Sequence, residues 1–418
     1  MIDLKRLRDE PEYRRGIERK RVRAGLVDEV LAADDVARDL RRRVEELRAR
    51  QNAASKEIGQ ASPDERPAKI AAAGALKDEL QALESELSIA DTELRSLALD
   101  VPNPADPSVP DGGEDDAEVV KVVGSPGSGA PPLDHAAFAE TMRFVDAEHG
   151  AEVSGSRFAY LTNEAVLVEL ALLQWVMGLL VEKGFAPVSP PVLVREHAME
   201  EAGFFPTDRA QVYEVDAGDL FLVGTSEVPL SALHRGEIVA ASALPIRYAG
   251  MSSNFRREAG TYGKDTTGIF RVHQFDKVEM FSYAHPDRSW EEHDRILAIE
   301  EEIFTALELP YRVVNIAAGD LGAAAAKKYD IEAWLPSEGR YRELTSCSNY
   351  LDYSARRLGT RFRDDGSTRL VHTLNGTACA ISRTLVFLFE HYQTDHDSFA
   401  VPDVLRPYTG FDEVKSPA

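Results

Sequence analysis

Residues 246–283, which read IRYAGMSSNFRREAGTYGKDTTGIFRVHQFDKVEMFSY, decide the fold of this 418-residue chain. The segment contains two runs of strand-like composition, and the connection between them contains Gly260, Gly263 and Gly268. Two such runs with a glycine-containing connection predict a long β-hairpin. Charged residues recur in both runs at regular spacing, so the hairpin also offers a candidate binding surface.

The charges of this hairpin are ordered by face, because successive side chains of a strand point to opposite sides. Arg256 and Glu258 share one face of the first run. On the second run, one face carries Arg271, Phe275 and Glu279, and His273 and Lys277 lie between them on the same face. The opposite face carries Val272, Val278 and Met280. Such a charged face is costly to bury without a ligand, and ATP would supply phosphates for the arginines and a ring for Phe275. Spacing alone equally allows the solvated side of an amphipathic sheet.

Residue identity favours a ligand-binding face. FRREAG at 255–260, followed by FRVHQFDKVE at 270–279, closely resembles motif 2 of the class II aminoacyl-tRNA synthetases, and more narrowly that of the seryl-tRNA synthetases. Further segments resemble motifs of the same family in the same order: GTSEV at 224–228, the 320–336 region with DLG, AAK, YD and WLP, ELTSCSN at 343–349, and LNGT at 374–377 through Arg383. The resemblance covers essentially the whole chain. It implies an α+β fold, with a class II synthetase-like antiparallel β-sheet flanked by helices.

The resemblance also implies roles for individual residues. Arg256 and Arg383 would act in catalysis on the phosphates of ATP. The ATP-binding residues that it implies are Arg256, Arg257, Glu258, Arg271, Val272, Phe275, Glu343, Leu344, Thr345, Ser346 and Arg383. The serine-binding residues that it implies are Thr225, Ser226, Glu227, Glu279 and Thr377. Glu343 and Ser346 would hold Mg²⁺ together with ATP, and carboxylate and hydroxyl oxygens suit that ion.

Three details of these motifs need a physical account. In a regular strand Glu343 shares its face with Thr345, so a β-bulge or a backbone contact must intervene if Glu343 and Ser346 act together. The family commonly has Ser-Gly where this chain has Thr377-Ala378, which keeps the hydroxyl group but alters the pocket wall. Arg383 lies in a predicted helix over 377–392 that is apolar nearly all round, so its guanidinium needs either a buried carboxylate or, as in the family, the γ-phosphate of ATP.

Residues 1–100 are predicted to form a tRNA-binding domain with an antiparallel two-helix coiled-coil arm over 28–99. Apolar residues recur at steps of three and four along Val36, Leu40, Val44, Leu47, Gln51, Ala54 and Ile58, and again along Ala73, Leu76, Leu80, Leu83, Leu87, Ala90, Leu94 and Leu97. GQASP at 59–63 and then Pro67 allow the chain to reverse. Basic residues mostly off this seam are Arg41, Arg42, Arg43, Arg48, Arg50 and Lys56. They suit a solvated flank, whereas the resemblance implies that they grip the long variable arm of tRNA-Ser.

The rest of the chain divides at its prolines. Residues 101–132 are rich in proline and glycine and predict a linker that is interrupted by one strand over 118–123. The catalytic domain is predicted over 133–418. Its apolar helix over 164–183, with the proline-edged strand that follows to Val194, resembles class II motif 1 and implies a homodimer interface. Composition alone equally allows a buried core helix there.

Composition limits the cellular setting. The net charge of −23 opposes general affinity for nucleic acid, but residues 1–60 hold 16 Lys/Arg against 13 Asp/Glu and leave −26 to the remainder. The chain has no run of 18 apolar residues and no signal-like start, which predicts a cytoplasmic protein without membrane contact. Cys347 and Cys379 form no metal-spacing cluster, so zinc is not expected. The resemblance implies ATP as a substrate together with Mg²⁺.

The implied activity is the activation of L-serine with ATP and its transfer to the 3′ end of tRNA-Ser, with tRNA-Sec as an acceptor that stays open. Three alternatives are weaker. A carrier-protein acceptor would suit stand-alone homologues that lack a long arm. A noncatalytic coiled-coil protein would not need the full set of charged motif residues. A class II enzyme specific for threonine or proline is disfavoured, because the arm together with the TSE and ELTSCSN motifs resembles the seryl type.

Overall fold

The computed structural model describes residues 2–127, 129, 131–260 and 267–416. Gly263 of the predicted hairpin connection lies outside these residues. The chain divides into two compact units, Met1–Pro102 and Asn103–Ala418. The division near residue 100 agrees with the predicted end of the first domain, whereas the start of the second unit differs from the prediction.

The first unit contains the predicted helical hairpin. Its helices are α1 Leu4–Asp9, α2 Pro11–Glu18, α3 Leu26–Gln60 and α4 Arg66–Leu99. Ion pairs join Arg41 to Asp91 and Arg48 to Glu84. The later residue of α3 pairs with the earlier residue of α4, so the two helices are antiparallel. Gly59 is still helical, and Pro67 lies in the first turn of α4, where a proline costs no amide hydrogen bond.

The apolar seam between α3 and α4 follows the predicted heptads with one correction. Each predicted seam residue of α4 is buried or half-buried. On α3, however, Val36 is 55% exposed, and the fully buried neighbour Ala37 takes the seam position. The step from Ala37 to Leu40 is three residues and the next step, to Val44, is four, which restores the alternation that the choice of Val36 had broken.

The second unit is built on a large sheet. Its helices are α5 His135–Thr141, α6 Ala147–Ser154, α7 Glu164–Glu182, α8 Glu196–Ala202, α9 Glu227–Ser231, α10 Ser289–Ala306, α11 Tyr353–Leu358, α12 Ile381–His391 and α13 Arg406–Thr409. Its strands are β1 Glu118–Val123, β2 Val145–Asp146, β3 Tyr160–Leu161, β4 Ala186–Val188, β5 Leu193–Val194, β6 Glu214–Val215, β7 Leu220–Leu222, β8 Ile238–Ala240, β9 Ile246–Phe255, β10 Gln274–Ala284, β11 Tyr311–Asn315, β12 Lys327–Leu335, β13 Arg340–Asn349, β14 Arg361–Asp364, β15 Ser367–Leu370, β16 His372–Ala380, β17 Gln393–Asp395, β18 Ser398–Ala400 and β19 Glu413–Lys415.

Eight strands form the main sheet in the order β1-β11-β12-β13-β16-β10-β9-β4. Every neighbouring pair is antiparallel except β4 with β9. β9 and β10 pair along their whole length, with Phe255 opposite Gln274, which confirms the predicted hairpin. Val278 and Met280 pack in the core with Ile296 of α10, on the face predicted to be buried. The antiparallel sheet with flanking helices confirms the predicted α+β class.

The predicted linker over 101–132 is wrong for residues 103–123, which belong to the second unit. The Asn103 side chain is buried and its Nδ2 donates to the carbonyl oxygens of Ala324 at 2.9 Å and Tyr350 at 2.8 Å. The predicted strand is β1, and it pairs with β11 at the edge of the main sheet. Prolines and glycines here shape an irregular but packed path, and composition does not distinguish such a path from a free tether.

Helix α7 has the length and apolar composition that could cross a membrane. Its side chains at Val168, Leu172, Val176 and Leu180 are fully buried in the core of the second unit. The spacing of four residues places them on one face of the helix. A core helix has the same length and composition, and one face of α7 is buried as in such a helix.

Candidate active site

A cavity of about 370 Å³ lies on the face of the main sheet that carries Phe275 and Glu279, opposite the apolar face of β10. Its size is typical of a small-molecule site. The predicted site residues that line it are Thr225, Glu227, Arg256, Glu258, Arg271, Val272, Phe275, Glu279, Glu343, Leu344, Thr345, Ser346, Thr377 and Arg383. Residues 150 positions apart in the sequence therefore meet in one site, as the motifs predict.

The first part of the site is the open end of the β9–β10 hairpin. β9 ends at Phe255, so Arg256 and Glu258 reach the cavity from an irregular segment, and the prediction that they share a strand face is wrong. Glu258 has a φ of +48°, which is uncommon for a residue with a side chain. Its Oε2 accepts a hydrogen bond of 2.6 Å from Arg271 Nη1. The backbone turn thus brings the carboxylate of one strand end beside the arginine of the other.

Arg256 is the central cation of this end. Its Nε donates to the carbonyl oxygen of Gly224 at 3.2 Å, and its guanidinium carbon lies 5.2 Å from the centre of the Phe275 ring. Burial lowers the pKa of Arg256, and the nearby Arg383 lowers it further, although arginine stays charged in proteins. Among the residues that the structure describes, no carboxylate lies within 4 Å of the Arg256 guanidinium nitrogens. A partly buried cation held in this way is suited to an anionic ligand.

A bulge in β13 aligns the predicted metal-binding pair. Ile331 of β12 faces Thr345, but the next residue, Glu332, faces Glu343, so Leu344 is an extra residue in β13. Of the two alternatives that the sequence left open, a bulge or a backbone contact, the structure has the bulge, and it brings Glu343 and Ser346 to the cavity side. The side chains of Leu344 and Thr345 are buried, and Thr345 Oγ1 donates to Glu300 on α10 at 3.2 Å. These two residues therefore contribute backbone to the cavity wall.

Arg383 lies in the first turn of α12, the helix that follows directly after β16. The predicted helix over 377–392 is corrected here, because residues up to Ala380 belong to β16 and α12 begins at Ile381. Arg383 Nη1 lies 3.4 Å from the carboxylate of Glu343 and donates to its carbonyl oxygen at 3.2 Å. The guanidinium also lies 5.2 Å from the centre of the Phe270 ring. The partner carboxylate is itself half-exposed to the cavity, so the pair remains open to a phosphate.

The other end of the cavity is a network of small acceptors and carboxylates. Lys277 Nζ forms an ion pair with Glu279 and donates to Thr225 Oγ1 at 2.8 Å. Thr377 Oγ1 donates to Glu279 Oε2 at 3.4 Å. Glu279 thus accepts from one lysine and one hydroxyl group while its carboxylate faces the cavity.

Glu227 is the second carboxylate of this end. Its Oε2 accepts a hydrogen bond of 2.7 Å from Asn375 Nδ2. Burial and the neighbouring negative charge of Glu279 raise the pKa of Glu227 to about 8, and Lys277 counteracts them only in part. Without a ligand, this site therefore holds one carboxyl group more than its cations neutralise, which suits a ligand with an ammonium group.

Two predicted residues do not line the cavity. Arg257 is exposed, and its backbone amide donates to Gln211 O. Ser226 is fully buried, where a Cβ atom at Gly250 would lie 2.9 Å from its Oγ. Both residues are adjacent in sequence to residues that line the cavity, and they were predicted because they belong to the same motifs. The structure places neither side chain at the cavity, and their assignment to the binding surfaces stays a prediction.

Sequence reasoning missed several lining residues: Phe204, Asp208, Phe270, Lys277, Lys328, Ser348, Tyr350 and Asn375. Lys277 could have been found, because it alternates with Phe275 and Glu279 on the same face of β10. Asn375 lies inside the LNGT segment at 374–377, which resembles one of the family's motifs. Phe270 and Ser348 lie inside the FRVHQFDKVE and ELTSCSN segments, and Lys328 lies inside the 320–336 region. Phe204, Asp208 and Tyr350 lie outside the segments that resemble the family's motifs.

The carboxylate of Glu343 and the hydroxyl group of Ser346 face the same cavity, and this donor set suits Mg²⁺ beside a phosphate. Both cysteines are buried thiols. Within the described part of the chain, the one group of potential metal ligands is the exposed set Asp395, His396 and Asp397, outside the cavity. The expectation that zinc is not used stays a prediction.

The predicted tRNA-binding residues all lie on α3 of the first unit. Arg41 and Arg48 pair across the hairpin with Asp91 and Glu84, and Arg42 pairs with Asp39 and Glu46 on its own helix. Arg43 lies 3.8 Å from Asp39. Within the described residues, Arg50 and Lys56 form no ion pair. The free positive charge of this flank is therefore smaller than its composition suggests.

Comparison with known proteins agrees with both units. Residues 1–105 match the family model of the seryl-tRNA synthetase N-terminal domain, and residues 212–392 match that of the tRNA synthetase class II core domain of the G, H, P, S and T type. The chain is 50% identical to serine–tRNA ligase of Thermobifida fusca, over 99% of this chain and 98% of that protein. It is 46% identical to serine–tRNA ligase of Streptomyces coelicolor, over 100% of this chain and 99% of that protein.

Solved structures show the same fold. The seryl-tRNA synthetase of Pyrococcus horikoshii, complexed with ATP, superimposes with a TM-score of 0.93 at 39% identity, with full coverage of both chains. The cytoplasmic serine–tRNA ligase of Naegleria fowleri, in complex with AMP, gives a TM-score of 0.89 at 32% identity, over 100% of this chain and 99% of that one. With a helical-hairpin unit, a class II sheet and a cavity that gathers the synthetase motifs, this chain belongs to the seryl-tRNA synthetase family.

Proposed function

We propose that this chain activates L-serine with ATP to form seryl-adenylate and pyrophosphate, and then transfers the seryl group to the 3′ end of tRNA-Ser. The observation that carries the proposal is one cavity with two chemically different ends. One end holds the partly buried Arg256 beside Arg271 and Arg383, and the other holds Glu227 and Glu279 beside Thr377. The triphosphate of ATP is complementary in charge to the arginine end. The ammonium group of the amino acid is complementary to the carboxylate end.

Adenylation requires two anions to approach each other. A carboxylate oxygen of serine attacks the α-phosphorus, the bond from phosphorus to the bridging oxygen breaks, and pyrophosphate leaves. Arg256 is suited to the α-phosphate, because its fork can hold an oxygen while charge accumulates on the phosphorus. Arg271 and Arg383 would hold the terminal phosphates in place of their present carboxylate partners. Phe275 would stack on adenine, and Glu258 would accept from the adenine amino group.

Serine would bind at the other end. The ammonium group would lie near Thr225 and Glu227, and the hydroxyl group would donate to Glu279 beside Thr377. A site built to bond a hydroxyl group rejects alanine strongly, since its buried acceptor would lose its partner. Mg²⁺ held by Glu343, Ser346 and ATP would neutralise phosphate charge in such a site. These placements orient the two substrates for in-line attack.

The second step needs tRNA and is assigned to both units. The 3′-terminal ribose hydroxyl attacks the seryl carbonyl, and AMP leaves as its bond to that carbonyl breaks. The basic flank of α3 would hold tRNA-Ser; whether tRNA-Sec is also charged is a separate question that acceptor assays decide. We further propose a homodimer through α7, which exposes Leu167, Leu170 and Val181 at 46%, 54% and 49%. A cytoplasmic location is part of the same proposal.

The test is ATP–pyrophosphate exchange with a panel of amino acids. Exchange with serine and Mg²⁺ should exceed exchange with alanine or threonine by orders of magnitude. Arg256→Ala should lose roughly 100-fold or more in rate, the loss typical of a removed transition-state donor. Arg288→Ala, which removes a 67% exposed arginine outside the cavity, is the matched control and should keep its rate. Near-normal exchange by the Arg256→Ala protein would contradict the proposed site.

A further inference from the structure

The His273 side chain takes the place of a backbone amide donor in the residue pair that follows the last pair of β9 and β10. Phe255 directs its amide away from β10, to the carbonyl oxygen of Val223 at 2.8 Å, so the next hydrogen-bonded pair along the ladder is Arg256 with His273. Arg256 N donates to His273 O at 3.0 Å, as such a pair requires. The return bond differs: His273 N donates to Arg157 O at 3.1 Å, and the ring Nδ1 lies 2.7 Å from Arg256 O.

The partner atom fixes the proton on the ring. A backbone carbonyl oxygen only accepts, so Nδ1 must carry the hydrogen in this contact. The ring is held in place by its neighbours, with ring centres 5.3 Å away at Phe158 and 6.3 Å away at Tyr213. The imidazole therefore supplies the missing ladder bond where the two strand ends separate to form the cavity.

This bond supports the central cation of the site. The Arg256 peptide is held by His273 on both its amide and its carbonyl side, and the Arg256 side chain is held by Gly224 O at 3.2 Å. Arg256 lies beyond the end of β9, so no further ladder bond to β10 fixes it among the described residues. We propose that His273 is a positioning residue, which fixes the Arg256 backbone so that its guanidinium meets the α-phosphate. The inference rests on the proposed function of Arg256 in adenylation.

Three substitutions separate the hydrogen bond from packing. His273→Phe keeps a ring between Phe158 and Tyr213 but removes the donor. His273→Asn removes the ring but offers an amide nitrogen close to the position of Nδ1. His273→Gln places its amide nitrogen near the position of Nε2, where it does not reach Arg256 O. We expect exchange rates to fall roughly 10- to 100-fold in the Phe and Gln proteins, because small displacements of a catalytic group have effects of this size. The Asn protein should recover most of the rate, and KM for serine should change little in all three.

A double-mutant cycle with Arg256→Ala gives the decisive readout. If His273 acts through Arg256, His273→Phe should slow the Arg256→Ala protein by less than about twofold. Losses that multiply, a normal rate in the Phe protein, or an Asn protein as slow as the Phe protein would each overturn the inference.

ATP binding, titrated by calorimetry without serine, distinguishes this inference from the proposed function. If the unsubstituted chain exchanges with no amino acid, the proposed serine activation fails. ATP should still bind several-fold more weakly to the Phe protein than to the Asn protein if His273 holds Arg256. Equal ATP affinities in these two proteins would refute the role of His273, whatever the substrate is.

Discussion

Replacing Gly376 with alanine is expected to destabilise the second unit from behind the active site. A Cβ atom on Gly376 would lie 2.3 Å from Ile296 Cγ2, 2.7 Å from Glu300 Oε1 and 3.1 Å from Cys347 Cβ. Ile296 and Glu300 are fully buried on α10, so relief requires a shift of the helix or of the sheet. Overpacking of a well-packed core typically costs 1–3 kcal/mol. With three clashing neighbours, we expect a loss of about 3 kcal/mol in the free energy of unfolding.

Urea denaturation of the Gly376→Ala protein measures this loss. Gly322→Ala is the stability control in the same unit, because a Cβ atom there meets no atom of the described residues within 4 Å. Asn375 and Thr377, the neighbours of Gly376, line the cavity, so the same shift should raise KM for serine in exchange assays. An unfolding free energy equal to that of the control would refute the packing argument, and normal serine kinetics would refute the coupling to the site.

Three further outcomes are expected. Leu170→Glu should yield a monomer in light scattering, because it places a charge on the exposed apolar face of α7; a stable dimer would exclude this interface. Substituting both Arg50 and Lys56 with glutamine should weaken tRNA binding and reduce its salt dependence by about two charges, because neither side chain forms an ion pair with any described residue; an unchanged salt slope would exclude them. Serine binding near pH 7 should release a proton from Glu227, whose pKa of about 8 keeps it protonated until the ammonium group arrives. Calorimetry in buffers of different ionisation enthalpy should show this release, and Glu227→Gln should abolish it. Above about pH 9 the release should vanish, since Glu227 is then already ionised.

Local periodicity accounts for the strands and helices that the sequence predicted correctly, whereas the residues of the cavity were predicted from motif likeness. Alternation along one strand separates Val278 and Met280 from Phe275 and Glu279, and the structure places the two sets on opposite faces of β10. Steps of three and four predict the seam of α3 and α4, and the one error, Val36, broke that alternation. Such patterns are readable because each depends only on the fixed geometry of one strand or one helix.

The irregular parts of the site depend on contacts between distant segments. Motif likeness brought Ser226 and Arg257 into the predicted site, but neither reaches the cavity. The spacing of Glu343 and Ser346 required some bulge, yet only the register of β12 against β13 places the extra residue at Leu344.

The sequence by itself determined the hairpin, the helical arm and most of the charged residues that line the cavity. The tertiary structure decided that Arg256 stands beyond the end of β9 and that a histidine ring completes the ladder beside it. It also packed residues 103–123 against the second unit, although their composition indicates a linker. The physical reason is that periodicity records which face of an element is buried. Where an element ends, and what satisfies its last backbone groups, depends on partners supplied by other parts of the chain.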